Sequence, residues 1–222
     1  MSLDRRTLIA AAAAAFAAPS AVLAADDARP VPLKKVFPYY DLYLGIPAAE
    51  RTRFALVYYL KINGKPAGGQ TLWAVSASGA RTALTTGADG RFTRLPGLAD
   101  LKSGTLDVEK ARASDQYGVS MEMQPLVRLT ETVSAADLIA AMDQCNAAIR
   151  KKAGLIGLAV PKMEQVVFPN GEGTVVLAGG KTAAMSLVRT APAFKPAAHP
   201  GAVAVKFSKV PARALLAGGK AK

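Results

Sequence analysis

The sequence predicts an α+β fold that is mostly antiparallel β and sandwich-like, with one principal amphipathic helix at about 134–153. Two observations carry that prediction. Short runs of β-branched and aromatic residues alternate with Gly, Pro and Asn-Gly punctuation, and a single segment spaces its apolar residues at the helical period.

The chain opens on Arg5-Arg6, an uncharged alanine-rich run from Leu8 to Ala18, and Val22-Leu23-Ala24-Ala25. These read as the three parts of an export signal, with cleavage near Ala24/Ala25. A retained anchor is the competing reading, weakened by Pro19 and by alanine, because a spanning helix needs about 20 strongly apolar residues. Arg5-Arg6 with Thr7-Leu8-Ile9 resembles a twin-arginine signal, although Asp4 stands where Ser or Thr is usual and no Lys follows the apolar pair. Both export routes stay open. Residues 1–25 are expected to be removed, leaving 26–222 as a single β-rich domain, with two lobes (26–132 and 133–217) as the alternative and 218–222 as a basic tail.

Residues 26–38, with Pro30, Pro32 and Pro38, read as an extended lead-in, and Pro47 starts a turn or short helix through Arg51. Phe54 to Ile62 is a strand, Asn63-Gly64 is the dipeptide favoured by a two-residue hairpin turn, and Gln70 to Val75 is the expected returning strand. Further strands are expected at Arg81 to Thr85, Phe92 to Leu95, Gly104 to Val108 and Gly118 to Met123. In the helix, Ser134 is the N-cap with Asp137 three residues on, and Val133 staples to Leu138. Leu138, Met142, Cys145 and Ile149 share one face; Arg150-Lys151-Lys152 suit the negative end of the dipole, and Gly154 supplies a left-handed cap. Beyond it, Gln165 to Phe168, Thr174 to Leu177 and Thr182 to Val188 read as hairpins turning at Asn170-Gly171 and Gly179-Gly180. A Pro-rich connector from Ala191 to Pro200 leads to a last strand whose alternation buries Val203, Val205 and Phe207 and turns Lys206 outward.

The formal net charge is +12, and its distribution is uneven: residues 26–172 hold 18 basic and 15 acidic residues, whereas 173–222 hold eight basic and no acidic ones. A one-signed surface attracts polyanions through long-range, salt-screened fields. In an exported protein, periplasmic or secreted, the anions at hand are lipopolysaccharide, lipid head groups or acidic polymers, and no nucleic acid partner is expected. Lys206, Lys209 and Arg213, with Lys181 and Arg189, are the candidate anion-binding residues. Tyr39, Tyr40 and Tyr43, with Trp73, form a second candidate set able to stack on a sugar or lipid, against the plainer reading that they pack a β-core.

Catalytic chemistry finds little support. His199 is the sole histidine, and no Gly-x-Ser-x-Gly elbow accompanies it. One His and one Cys make no His- or Cys-rich metal site, while an all-oxygen calcium site from scattered carboxylates stays open. Gly180-Lys181-Thr182 lacks the rest of a phosphate-binding loop, since Val175 stands where its first Gly belongs. Asp107 and Glu109 face one side of a strand, the spacing a carboxylate-dependent glycan hydrolase can use. Cys145, the only cysteine, cannot form an internal disulfide and reads as a buried core residue. No catalytic residue, metal or cofactor is assigned, and oligomeric state is not legible.

Gly64-Lys65-Pro66-Ala67-Gly68, Thr71-Leu72-Trp73, Thr86 to Phe92 and Leu95-Pro96 resemble the prealbumin-like module found as the regulatory domain of carboxypeptidases. The resemblance spans residues 63–108 and implies a β-sandwich without a catalytic group. In the order of its elements, from the aromatic start through the helix to Pro211-Ala212-Arg213-Ala214-Leu215, the chain also resembles an uncharacterised family of exported proteobacterial proteins, which implies no activity. The expectation is therefore a non-enzymatic envelope protein that binds an anionic component through its basic C-terminal region, with the glycan hydrolase as the alternative.

Overall fold

The structure, a computed structural model, describes residues 21–23, 30–108, 114–153 and 161–218. Most of the expected signal, Glu109, the Gly154 cap and residues 219–222 of the expected tail lie outside them. The fold is α+β and mostly antiparallel β, with four four-stranded sheets and one long helix among the described residues. None of these helices is long and apolar enough to cross a membrane. The chain divides into two compact units, an N-terminal one (residues up to Pro47 and Leu56–Glu122) and a C-terminal one (Ala48–Ala55 and Met123 onward).

The N-terminal unit is drawn from β1 (Ala21–Leu23), β2 (Val31–Pro32), α1 (Leu33–Val36), α2 (Tyr40–Leu44), β3 (Phe54–Ile62), β4 (Lys65–Pro66), β5 (Thr71–Val75), β6 (Arg81–Thr85), α3 (Leu98–Ser103), β7 (Thr105–Asp107) and β8 (Tyr117–Pro125). Its strands form the sheets β1-β8-β3-β4 and β2-β7-β5-β6. Part of the expected lead-in is helical, because one turn from Leu33 to Val36 buries both of those side chains. Phe37 follows them into the core, edge-on to the rings of Tyr58 and Phe92 at 5.2 Å each.

Asn63 and Gly64 adopt φ of 53° and 77°, the positive pair that a tight hairpin turn requires. The Asn63 side chain is also employed: its Oδ1 accepts the Gln116 N–H at 2.9 Å and its Nδ2 donates to Asp115 at 3.0 Å. The returning strand, however, is the two-residue β4 rather than Gln70 to Val75. Pro66 has no N–H with which to extend the ladder, and after Gly68-Gly69 the chain enters the other sheet, where β5 pairs with β6 and β7. Phe92 to Leu95 is not a strand: Phe92 makes one bridge to Thr86 and buries its ring.

The C-terminal unit holds a 3₁₀ turn at Ala48–Glu50, then β9 (Thr132–Ser134), α4 (Ala135–Ala153), β10 (Met163–Val167), β11 (Glu172–Leu177), β12 (Thr182–Ala184), β13 (Ser186–Val188), β14 (Ala191–Phe194), β15 (Ala202–Lys209) and β16 (Leu215–Gly218). Ser134 caps α4 as its spacing predicts, its Oγ accepting the Asp137 N–H at 3.3 Å. Leu138, Met142 and Cys145 are buried, with Ala141 and Ala148 beside them, while Ile149 is half-buried. Asn146 anchors α4 to β10 through two hydrogen bonds, Nδ2 to the Met163 carbonyl (2.9 Å) and the Met163 N–H to Oδ1 (2.8 Å).

The strands here form the sheets β13-β14-β10-β16 and β12-β11-β15-β9, which changes three expectations. Asn170-Gly171 turns the chain from one sheet into the other, so β10 and β11 are not a hairpin, whereas the Gly179-Gly180 turn closes one between β11 and β12. Thr182 to Val188 is two strands, broken at the buried Met185. The Pro-rich connector contains β14, where Pro192 gives up a donor but still accepts the Phe168 N–H at 2.8 Å. Two smaller corrections follow from register. Val203 is 52% exposed because the β11/β15 pairing skips it between Val176 and Leu177, while Val205 and Phe207 are buried. Gly218 ends β16 opposite Met163 rather than starting a tail.

Candidate functional site

In the sheet β12-β11-β15-β9, alternation sorts the residues into two faces. Val205 lies level with Val175 and Val133, all three buried, whereas the adjacent row sets Lys206 level with Thr174 and Thr132 on the outward face. Gly173 makes this approach possible, since a Cβ there would lie 2.2 Å from the Lys206 carbonyl oxygen. The Lys206 ammonium thus stands on a hydroxyl-bearing face with no acidic partner among the described residues.

Beside Thr132 a pocket of about 360 Å³ opens, bounded by Arg53, by Leu126 to Arg128, and by the start of α4 at Ser134 and Asp137. Its walls are tied together. The Arg53 N–H donates to Gln144 Oε1 of α4 at 2.7 Å, Gln144 Nε2 donates to Thr52 Oγ1 at 3.1 Å, and the Leu126 N–H donates to the Arg53 carbonyl at 2.8 Å. The Arg53 guanidinium reaches the Asp137 carboxylate only at 3.4 Å, and both side chains are half exposed. Arg128 also lines the pocket and has no hydrogen-bond or ion-pair partner among the described residues. Two guanidiniums, hydroxyls and one carboxylate make this a site able to receive an anion.

The five basic residues expected to act together are not gathered in one place. Lys181 lies in the turn between β11 and β12, and Lys209 faces Glu172 at the other end of β11, a strand length of about 17 Å away. Lys209 Nζ is 3.9 Å from the Glu172 carboxylate. Arg189 occupies a left-handed turn position (φ 56°) between β13 and β14 in the other sheet, and Arg213 is half-buried between β15 and β16. Of the five, Lys206 is the one whose strand neighbour lines the pocket. Arg53 and Arg128 were not singled out from sequence, because they lie in loops distant from one another along the chain and nothing local relates them.

Three of the aromatic candidates, Tyr40, Tyr43 and Trp73, make ring contacts within the fold. Tyr40 stacks on Tyr43 (6.0 Å, 15° between planes) and meets Tyr58 edge-on at 5.7 Å. Tyr39, at φ 64°, precedes α2 and accepts the Tyr43 N–H at 2.9 Å through its carbonyl, while its ring is exposed. The Tyr58 hydroxyl donates to the Pro38 carbonyl, and burial pushes its pKa far above the ordinary phenol value. Trp73 is apart from the tyrosines: the Arg81 guanidinium lies 4.6 Å over its ring and is ion-paired to Asp107 at 2.9 Å. Asp107, the candidate hydrolase acid, is therefore engaged by Arg81.

His199 is buried with its ring stacked on Phe194 at 6.3 Å, and its Nε2 has no hydrogen-bond partner among the described residues. Burial pushes the Cys145 thiol up to about 12, so it is no thiolate nucleophile at neutral pH. Among the described residues no three His, Cys, Asp or Glu side chains are grouped to hold a metal ion. No protein-family model, curated protein or solved structure matches this chain.

Proposed function

We propose that this is an exported, non-enzymatic protein of the cell envelope, released after cleavage near Ala24/Ala25, that binds an anionic envelope component through its basic C-terminal surface. The observation that carries the reading is the outward row of the β12-β11-β15-β9 sheet, where Lys206 stands among hydroxyls beside a pocket bearing Arg53 and Arg128. Lys206 and Arg128, which have no acidic partner among the described residues, are free to neutralise an external anion, and residues 173–222 bring eight basic side chains and no acidic one. The prealbumin-like likeness of residues 63–108 fits this role, since a module without catalytic groups serves as scaffold.

The test is sedimentation of the purified protein with lipopolysaccharide and with phosphatidylglycerol vesicles at low and high salt. Binding that weakens steeply as salt rises, and that falls in a Lys181→Glu/Lys206→Glu variant, is the expected result. Absence of binding at low salt, or binding indifferent to both salt and charge reversal, overturns the reading.

A further inference from the structure

We infer that the pocket beside Thr132 is a receptor for the phosphate group of a phosphate ester. Charge balance favours phosphate over a carboxylate. Of the lining residues Arg53 and Arg128 are cationic and Asp137 is the one acid, which leaves the lining net positive; Lys206, level with Thr132, and the exposed Glu131 next to Thr132 stand outside the lining and offset one another in charge. A phosphate monoester carries more negative charge than a carboxylate near neutral pH, its second ionisation lying near 6, and so gains more from a net positive lining. Guanidinium also matches phosphate geometrically, because its planar fork donates two parallel hydrogen bonds to a pair of oxygens.

The volume points to an ester rather than the free ion. At about 360 Å³ the pocket exceeds what one phosphate fills, and Thr132 Oγ1 offers hydroxyl bonding to the body of the ligand. Leu126, 53% exposed at the same opening, gives that body an apolar contact, as the face of a sugar ring or a glycerol backbone would require. The donors are side chains rather than the end of α4, whose Asp137 N–H is already taken by Ser134. The frame is built before any ligand arrives, since the hydrogen bonds of Arg53, Gln144, Thr52 and Leu126 hold the walls in place. What moves is small: the long contact from Arg53 to Asp137 yields, and the guanidinium turns to phosphate.

This inference rests on the envelope reading only for the source of the ester, so the two can fail separately. Titration of the full chain with glucose 1-phosphate, with inorganic phosphate and with phosphatidylcholine vesicles containing or lacking phosphatidic acid tests it. Glucose 1-phosphate should bind more tightly than inorganic phosphate, and Arg128→Gln, which breaks no hydrogen bond or ion pair among the described residues, should weaken it by about tenfold or more. Asp137→Asn should instead tighten it, a direction that general damage to the fold does not produce. Capture by phosphatidic acid vesicles with the same dependence on Arg128 identifies a lipid source, whereas binding of glucose 1-phosphate alone identifies a soluble one and counts against the envelope reading. Sugar phosphate binding that is absent, or unchanged in both variants, overturns the phosphate site even if vesicles are still bound through Lys206.

Discussion

Two regions, the ion-paired patches around Asp41 and Asp107 and the outward row around Lys206, hold their positive charges differently. In the N-terminal unit Lys34 meets Asp41 at 2.9 Å, and Arg81 meets Asp107 at 2.9 Å while covering Trp73. In the C-terminal unit Lys151 is likewise paired, with Glu50 at 2.6 Å, yet Lys206 and Arg128 have no acidic partner among the described residues. A paired surface cation has already spent its field locally and contributes at most about 1 kcal/mol to stability. An unpaired one contributes less to the fold and remains available to a ligand. The contrast assigns structure to one set of charges and recognition to the other, and that assignment can be broken.

The largest expected effect lies in the N-terminal core. Phe37→Ala removes a buried ring held edge-on between Tyr58 and Phe92 and should cost about 3–5 kcal/mol. Lys206→Gln, on an exposed strand face, should stay within about 0.5 kcal/mol in the same urea titration. A large loss from Lys206→Gln would show it to be a structural residue, and the distinction between the two kinds of cation would collapse.

Arg81→Gln is the intermediate case. It breaks the Asp107 pair and lifts the cation from Trp73, for a cost of about 1 kcal/mol together with a change in indole fluorescence, which is readable because Trp73 is the only tryptophan. Anion binding should be unaffected. If it fell as far as in the Lys206 variant, paired and unpaired cations would be equivalent as binding groups.

How much of this was legible in the sequence depends on the range of the interaction concerned. The α4 helix could be read because its cap, its apolar stripe and its basic end are all local to residues 133–152. The outward Lys206 could be read because strand alternation is local too. Sheet membership could not. Asn63-Gly64 and Asn170-Gly171 are the same dipeptide, but one closes a hairpin with both residues at positive φ, and the other carries the chain into a different sheet with only Asn170 at positive φ. The short helices α1, α2 and α3 were missed because four to six residues hold little helical periodicity. The pocket was invisible for a related reason: Arg53 and Arg128 belong to loops distant in sequence, and the carbonyl of Arg53 and the N–H of Leu126 bring them to one rim.

The smallest effect concerns Asp41. The hydrogen bond from the Lys34 ammonium is the main cause that holds its carboxyl below the ordinary carboxylate range, against a partial burial that acts the other way. A carboxylate whose acidity is strengthened by folding stabilises the fold wherever it is ionised in both states, at pH above the ordinary range near 4. That contribution declines as the pH falls below this range and is gone once the pH has dropped through the folded value. With Lys34 exposed, the amount at neutral pH should be less than about 1 kcal/mol. Lys34→Gln should therefore lower the urea midpoint slightly at neutral pH and not at all in acid, so that the two stability curves converge as Asp41 takes up its proton. A constant offset across the range would place the lysine's contribution in the packing of its methylenes rather than in its charge, and would remove one of the ion pairs on which the contrast between paired and unpaired cations rests.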